Sequence, residues 1–134
     1  MQSHVVEIRR TTRHPLPRIS FEKIARALLP SPRRRRGEHY QLSLVLCGDT
    51  LARKINRTYR KKTYAANVLS FPLDKYEGEM FLNVEAAARE AKRFKVSLRA
   101  RLTLLFVHGC LHLKGMRHGN LMERLEKKML KRFA

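Results

Sequence analysis

The chain has 134 residues, 43% hydrophobic and 31% charged, enough for one hydrophobic core and too few for two domains. Its 30 Lys and Arg against 11 Asp and Glu leave a net charge of +19 at pH 7, a self-repulsion that a polyanion offsets, so nucleic acid is the expected partner. The two cysteines, Cys47 and Cys110, exclude a disulfide framework and read as buried thiols of a cytoplasmic protein, and no apolar run is long enough for a leader or a membrane span.

Taken in order, Val5, Val6 and Ile8 form a first strand, and Thr11 to Pro17 with its two prolines is a loop. Ser20 caps a helix whose apolar positions Phe21, Ile24, Ala25 and Leu28 recur at three and four, and Pro30 and Pro32 stop it. Arg33, Arg34, Arg35 and Arg36 follow as a basic loop. Leu42, Leu44 and Leu46 lie in a strand ended by Gly48, after which Asp49 or Thr50 caps a very basic helix reaching about Tyr59. Asn67 to Phe71 is a short strand closed by Pro72, and the turn-like Lys75 to Gly78 leads to a second around Met80 to Leu82.

The remainder is helical. Val84 to Phe94 is Ala-rich, and Ser97 caps the next helix, with Leu98, Leu102, Leu105, Phe106 and Cys110 on its apolar face and Gly115 at its end. Asn120 caps a last helix that turns Leu121, Leu125, Met129 and Phe133 inward and Glu123 and Glu126 outward. The expected fold is a single α/β (α+β) domain over residues 1–134, a small mixed sheet with helices packed on it.

The chemistry concentrates in the run His-Gly-Cys-Leu-His-Leu-Lys-Gly-Met-Arg-His, residues 108–118. His108 and His112 are four apart on a helix, so their imidazoles share one face about a turn apart. Gly115 can take the left-handed cap that reverses the chain and brings back His118 as a third ligand. Three histidines with an open fourth position are the pattern of a catalytic zinc site. Given 6 His and 6 Gly in 134 residues, this H-x3-H-x2-G-x2-H spacing arises by chance in roughly one such chain in two thousand. One zinc per chain, held by His108, His112 and His118, is therefore expected.

The same spacing occurs in the metzincin proteases, where a Glu after the first His serves as general base. Here that residue is Gly109, which cannot accept a proton, and a peptidase gains nothing from +19. Phosphodiester cleavage does, because cations must surround a phosphate whose charge grows in the transition state.

Several blocks together resemble the YbeY family of bacterial rRNA maturation factors. Residues 108–118 resemble that family's H-G-x-L-H-L-x-G-Y-D-H, Asn56 to Arg60 its N-x-x-Y-R, and Asn67 to Pro72 its V-L-S-F-P segment. The resemblance implies a single-strand-specific, zinc-dependent endoribonuclease acting in 16S rRNA 3′-end maturation and ribosome quality control. It also implies ribosomal RNA as substrate, ribosomal or assembly proteins as partners, and no membrane. Arg60 matches the family's arginine, which implies a catalytic guanidinium that holds the scissile phosphate. Arg117, where the family has an acidic residue, removes a carboxylate beside the third ligand.

Asn67 and Ser70 are further candidates: each can hydrogen-bond a phosphate, and each can equally be a structural amide or hydroxyl. Arg57, Lys61, Lys62 and Arg33 to Arg36 are candidate RNA contacts, and exposed tyrosines among Tyr40, Tyr59, Tyr64 and Tyr76 can stack on unpaired bases. The competing reading is a non-catalytic, zinc-containing RNA-binding ribosome-assembly factor, which would bind RNA without turnover.

Overall fold

A computed structural model describes residues 5–32 and 38–134; the arginine run Arg33 to Arg36 and His4 lie outside the described residues. The elements are β1 (Val6–Arg10), α1 (Phe21–Leu28), β2 (Gln41–Cys47), α2 (Asp49–Arg60), β3 (Val68–Asp74), β4 (Glu77–Asn83), α3 (Val84–Phe94), α4 (Leu98–Leu113) and α5 (Asn120–Phe133). The mixed α/β architecture is the one the sequence pattern predicts.

The four strands lie in the order β1-β2-β4-β3. Strand β2 is apolar on both faces, as a strand flanked by parallel neighbours and covered on both sides must be. It runs parallel to β1 and to β4, with Leu44 opposite Ile8 on one side and Met80 on the other. Strand β3 returns antiparallel to β4 as the sheet edge. It continues past Pro72 to Asp74, further than the sequence suggests, because an edge strand needs no donor on its open side. The register shifts between Pro72 and Asp74.

Helix α2 covers one face, enclosing a small core of Val45, Cys47, Ala52, Ala66, Leu69 and Phe81. The larger core occupies the other face, where Leu42, Leu44, Met80 and Leu82 meet Ile24, Leu28, Leu102, Phe106, Cys110 and Met122 from the remaining helices. Helix α4 is buried on most of its circumference, so it is chiefly a core helix, with His108 and His112 left half-buried. Each such Leu or Phe contributes about 1.5–3 kcal/mol on burial. Both cysteines are buried and free, and burial pushes the Cys47 thiol up to about 12.

Helix caps show where local signals hold. Ser97 Oγ accepts from Ala100 N at 3.0 Å and Asn83 Oδ1 from Ala86 N at 3.1 Å, as capping side chains do. Helix α2 departs from expectation: its cap is Gly48, and its first amide, Asp49 N, donates to Glu85 Oε1 at 2.8 Å. Any side chain at Gly48 would strike that glutamate. The Asp49 carboxylate instead accepts from the buried Asn83 amide at 2.9 Å and pairs with both terminal nitrogens of Arg89. Helix α5 is capped by Gly119 rather than Asn120, and Met122 and Met129 are its buried residues while Leu121 is exposed. A spacing of four drifts around a 3.6-residue helix, so the stripe that begins at Leu121 starts outside the face that packs.

Candidate metal centre

Helix α4 carries His108 and His112 on its last turns, at the rim of the core. Its end is a Schellman reversal: Gly115 N donates to His112 O at 2.9 Å and Met116 N to Leu111 O at 3.0 Å, with Gly115 at φ +91°. A left-handed residue at that position suits glycine. The reversal carries the chain back over the helix end and sets His118 beside the other two imidazoles.

The ring centroids are 4.5 Å apart for His108 and His112, and 4.8 Å for each of the pairs that include His118. One nitrogen from each ring lies within 4.8 Å of the others, and the Nε2 atoms of His108 and His112 are 3.0 Å apart. A tetrahedral ion with bonds of about 2.0–2.1 Å holds its nitrogens about 3.3 Å apart. The donor set and its convergence therefore fit a metal ion, with His108 and His112 half-buried and His118 exposed.

The outward position expected for Glu126 on the last helix is corrected by the structure. Met122, Leu125, Glu126 and Met129 share the face of α5 turned toward α4, and Glu126 Oε2 lies 2.7 Å from His108 Nδ1. A carboxylate only accepts, so Nδ1 carries the proton and Nε2 is left with its lone pair facing His112. The spacing of Glu126 between Met122 and Met129 was the available signal. Glu126 thus supplies a carboxylate to the cluster although Arg117 does not.

His112 is held below the ordinary histidine pKa by burial, then by the neighbouring His108 and His118 and by Arg60, against a raising hydrogen bond with the Met116 backbone. A neutral imidazole is the ligand form.

Gly109, at the position of the metzincin glutamate, faces the sheet. A Cβ there would lie 2.6 Å from Met80 Cε and 2.9 Å from Ser70 Oγ, so glycine is needed for α4 to approach β3 and β4. Ser70 Oγ donates to Gly109 O at 3.0 Å, and Ser70 O accepts from Arg60 Nη2 at 3.4 Å. Ser70 therefore joins the end of α2 to the histidine-bearing helix. The Arg60 guanidinium also lies 5.6 Å from the Phe71 ring centroid. Asn67 turns away from the cluster: its amide donates to Glu90 Oε2 at 3.1 Å, and Glu90 pairs with Arg101 at 2.8 Å. Arg57, Lys61 and Lys62 are exposed at the end of α2 and just beyond it.

Sheet, covering helices and three converging histidines define a small mixed α/β protein with a site competent to bind a metal ion. A family model described as "Endoribonuclease YbeY" matches residues 7–134, and the chain belongs to the YbeY family. It is 36% identical over 110 residues to the endoribonuclease YbeY of Pseudomonas putida, covering 72% of this chain and 70% of that one. Identity to the Aromatoleum aromaticum protein of the same name is 40% over 98 residues, 67% of this chain and 64% of the relative. The match to the Mycoplasma capricolum protein, at 38% identity, spans 60% of this chain and only 56% of that relative's length. The fold is similar to the solution structure of TM1509 from Thermotoga maritima, with a TM-score of 0.58 and 24% identity over 82% of this chain and 73% of that one.

Proposed function

We propose that this chain is a zinc-dependent endoribonuclease that cleaves single-stranded RNA, acting in the cytoplasm on the 3′ end of 16S ribosomal RNA and in ribosome quality control. Residues 1–134 would work as one catalytic domain, with ribosomal or assembly proteins as further partners. The observation that carries the reading is the convergence of His108, His112 and His118, with the charge of Arg60 felt at His112, in a chain of net charge +19. Among the described residues no helix is long and apolar enough to cross a membrane.

His108, His112 and His118 would hold one zinc ion, which supplies Lewis-acid polarisation of a phosphoryl oxygen when bound. Glu126 keeps the proton of His108 on Nδ1, fixing ring orientation. Arg60, steadied by the Ser70 carbonyl, presents a guanidinium that can hold two phosphate oxygens and oppose the charge that develops on them. Arg57, Lys61 and Lys62 neutralise neighbouring phosphates of the same strand. Ser70 serves this scheme as a positioning residue, its hydroxyl being engaged with Gly109 O.

A peptidase reading is disfavoured because residue 109, where the metzincins carry their general base, is a glycine with no proton acceptor, and a side chain added there would meet Met80 and Ser70. The test is cleavage of an end-labelled single-stranded RNA by wild type, His112→Ala and Arg60→Ala prepared identically with zinc. Wild-type turnover should vanish in His112→Ala and fall about 100- to 1,000-fold in Arg60→Ala. Equal cleavage by wild type and His112→Ala refutes the proposal, as does RNA binding without cleavage by any of the three, which leaves a non-catalytic RNA-binding assembly factor.

A further inference from the structure

Beside Arg60, on the α2 side of the edge strand, the surface carries aromatic rings where solvated polar groups would be ordinary. Tyr59 is 67% exposed on the last turn of α2. Its ring stands edge-on to Phe71, with centroids 5.5 Å apart and planes at 61°. Phe71 is itself edge-on to the buried Phe81 at 6.1 Å. The exposed ring is thus braced through Phe71 to the small core, which restricts its motion without covering its outer face.

A lone exposed tyrosine needs no explanation; this one has surroundings that do. Arg60, whose guanidinium lies over the Phe71 ring, is the next residue in the chain, and the exposed Arg57, Lys61 and Lys62 flank it. Buried Asn56 donates to Tyr64 O at 2.9 Å, tying the loop that carries Lys61 and Lys62 back onto α2. Positive charge around a braced aromatic face is the combination that binds unpaired nucleic acid, with cations taking the phosphates and the ring taking a base. A duplex offers the same phosphates but keeps its bases stacked on one another. The surrounding cations make an unpaired nucleotide the fitting occupant.

We infer that Tyr59, backed by Phe71, is a nucleobase-stacking subsite that takes one unpaired base of the RNA whose phosphate Arg60 holds. The inference rests on the proposed ribonuclease function and gives it a physical source of single-strand preference: the histidine cluster and Arg60 read phosphate, and Tyr59 reads whether the adjoining base is free.

The chain contains no tryptophan, so Tyr59→Trp places a single indole at the subsite. Titration with a 2′-O-methylated single-stranded RNA 12-mer, which resists cleavage, should quench that indole saturably, and the same strand annealed to its complement should leave it bright. In parallel, Tyr59→Ala should weaken binding of the single-stranded 12-mer about fivefold to a hundredfold, leaving duplex affinity within about twofold. Tyr59→Phe should restore single-strand binding, and Ile8→Ala, an exposed apolar residue on the opposite edge strand, should bind as wild type does. Far-ultraviolet circular dichroism of each variant confirms the fold. Unchanged single-strand affinity in Tyr59→Ala overturns the inference and leaves the aromatic patch to a protein partner; equal losses for single strand and duplex overturn it as well. If wild type neither binds nor cleaves single-stranded RNA, the ribonuclease reading itself fails. If wild type cleaves and Tyr59→Ala matches it in affinity and rate, the stacking subsite alone fails.

Discussion

Removing the Glu126 carboxylate tests whether the histidine cluster is a tuned metal site or three adjacent rings. The contact to His108 Nδ1 is 2.7 Å, with the two side chains only 24% and 14% exposed. That is short and partly shielded, so it belongs with charge-assisted hydrogen bonds rather than with surface ion pairs worth about 0–1 kcal/mol. Carboxylates that orient ligand histidines contribute about 10- to 100-fold in metal affinity, or about 1.4–2.7 kcal/mol. Glu126→Ala loses both charge and acceptor and should approach the hundredfold end. Glu126→Gln keeps an acceptor oxygen and should lose about tenfold. In a chain of net charge +19 with 11 acidic residues, deleting any carboxylate weakens cation binding somewhat. Glu123→Ala, exposed on the same helix, measures that general effect. The assay is zinc titration of metal-free protein against a competing chelating indicator near neutral pH, with circular dichroism to verify folding. Equal affinities for Glu126→Ala and Glu123→Ala would refute the assignment, because the carboxylate would then act by charge alone.

Two further predictions concern the scaffold. Gly109→Ala places a methyl 2.6 Å from Cε of the fully buried Met80; overpacking of about 1–3 kcal/mol outweighs the roughly 1 kcal/mol helix-propensity gain, so the melting temperature should fall by a few degrees, and a rise would show that Met80 yields freely. Asp49 is held down to about 2 from an ordinary 3.8, chiefly by its hydrogen bonds from Arg89 and Asn83. A depressed folded-state pKa adds stability that is present above the unfolded value and lost as pH falls through the folded one. Urea unfolding should therefore show Asp49→Asn less stable than wild type by about 1 kcal/mol at neutral pH, the figure being reduced because Arg89 is mostly exposed. The gap should close as pH falls from about 4 to about 2; a pH-independent difference would contradict the assignment.

Much of this molecule is written in local patterns. Helix periodicity placed α1 and α3 almost to the residue, and Ser97 announced α4, because a cap acts within one turn of the backbone. The spacing of His108, His112, Gly115 and His118 was legible for the same reason: two residues four apart must share a helix face, and the reversal that follows requires one glycine. The likeness to the YbeY family, read from the 56–60, 67–72 and 108–118 segments, agrees with the match over residues 7–134.

Partner choice across the chain was not legible. Asp49 does not cap its own helix, since the amide at the start of α2 finds the Glu85 carboxylate 36 residues away. Asn67 bonds Glu90, and the Ser70 hydroxyl bonds a helix carbonyl; the same side chains in another packing would face the cleft. Glu126 reads as one acid on a basic helix until α5 is rotated against α4, and Tyr59 as one tyrosine among four until the edge strand braces it. The sequence by itself determined the elements, the ligand spacing and the excess of positive charge, because each depends on neighbours within a turn or on a sum over the chain. Only the tertiary structure decided which carboxylate meets His108, what a side chain at residue 109 would strike and which exposed tyrosine is braced against the sheet edge, because those depend on how helices rotate when they pack over a shared core.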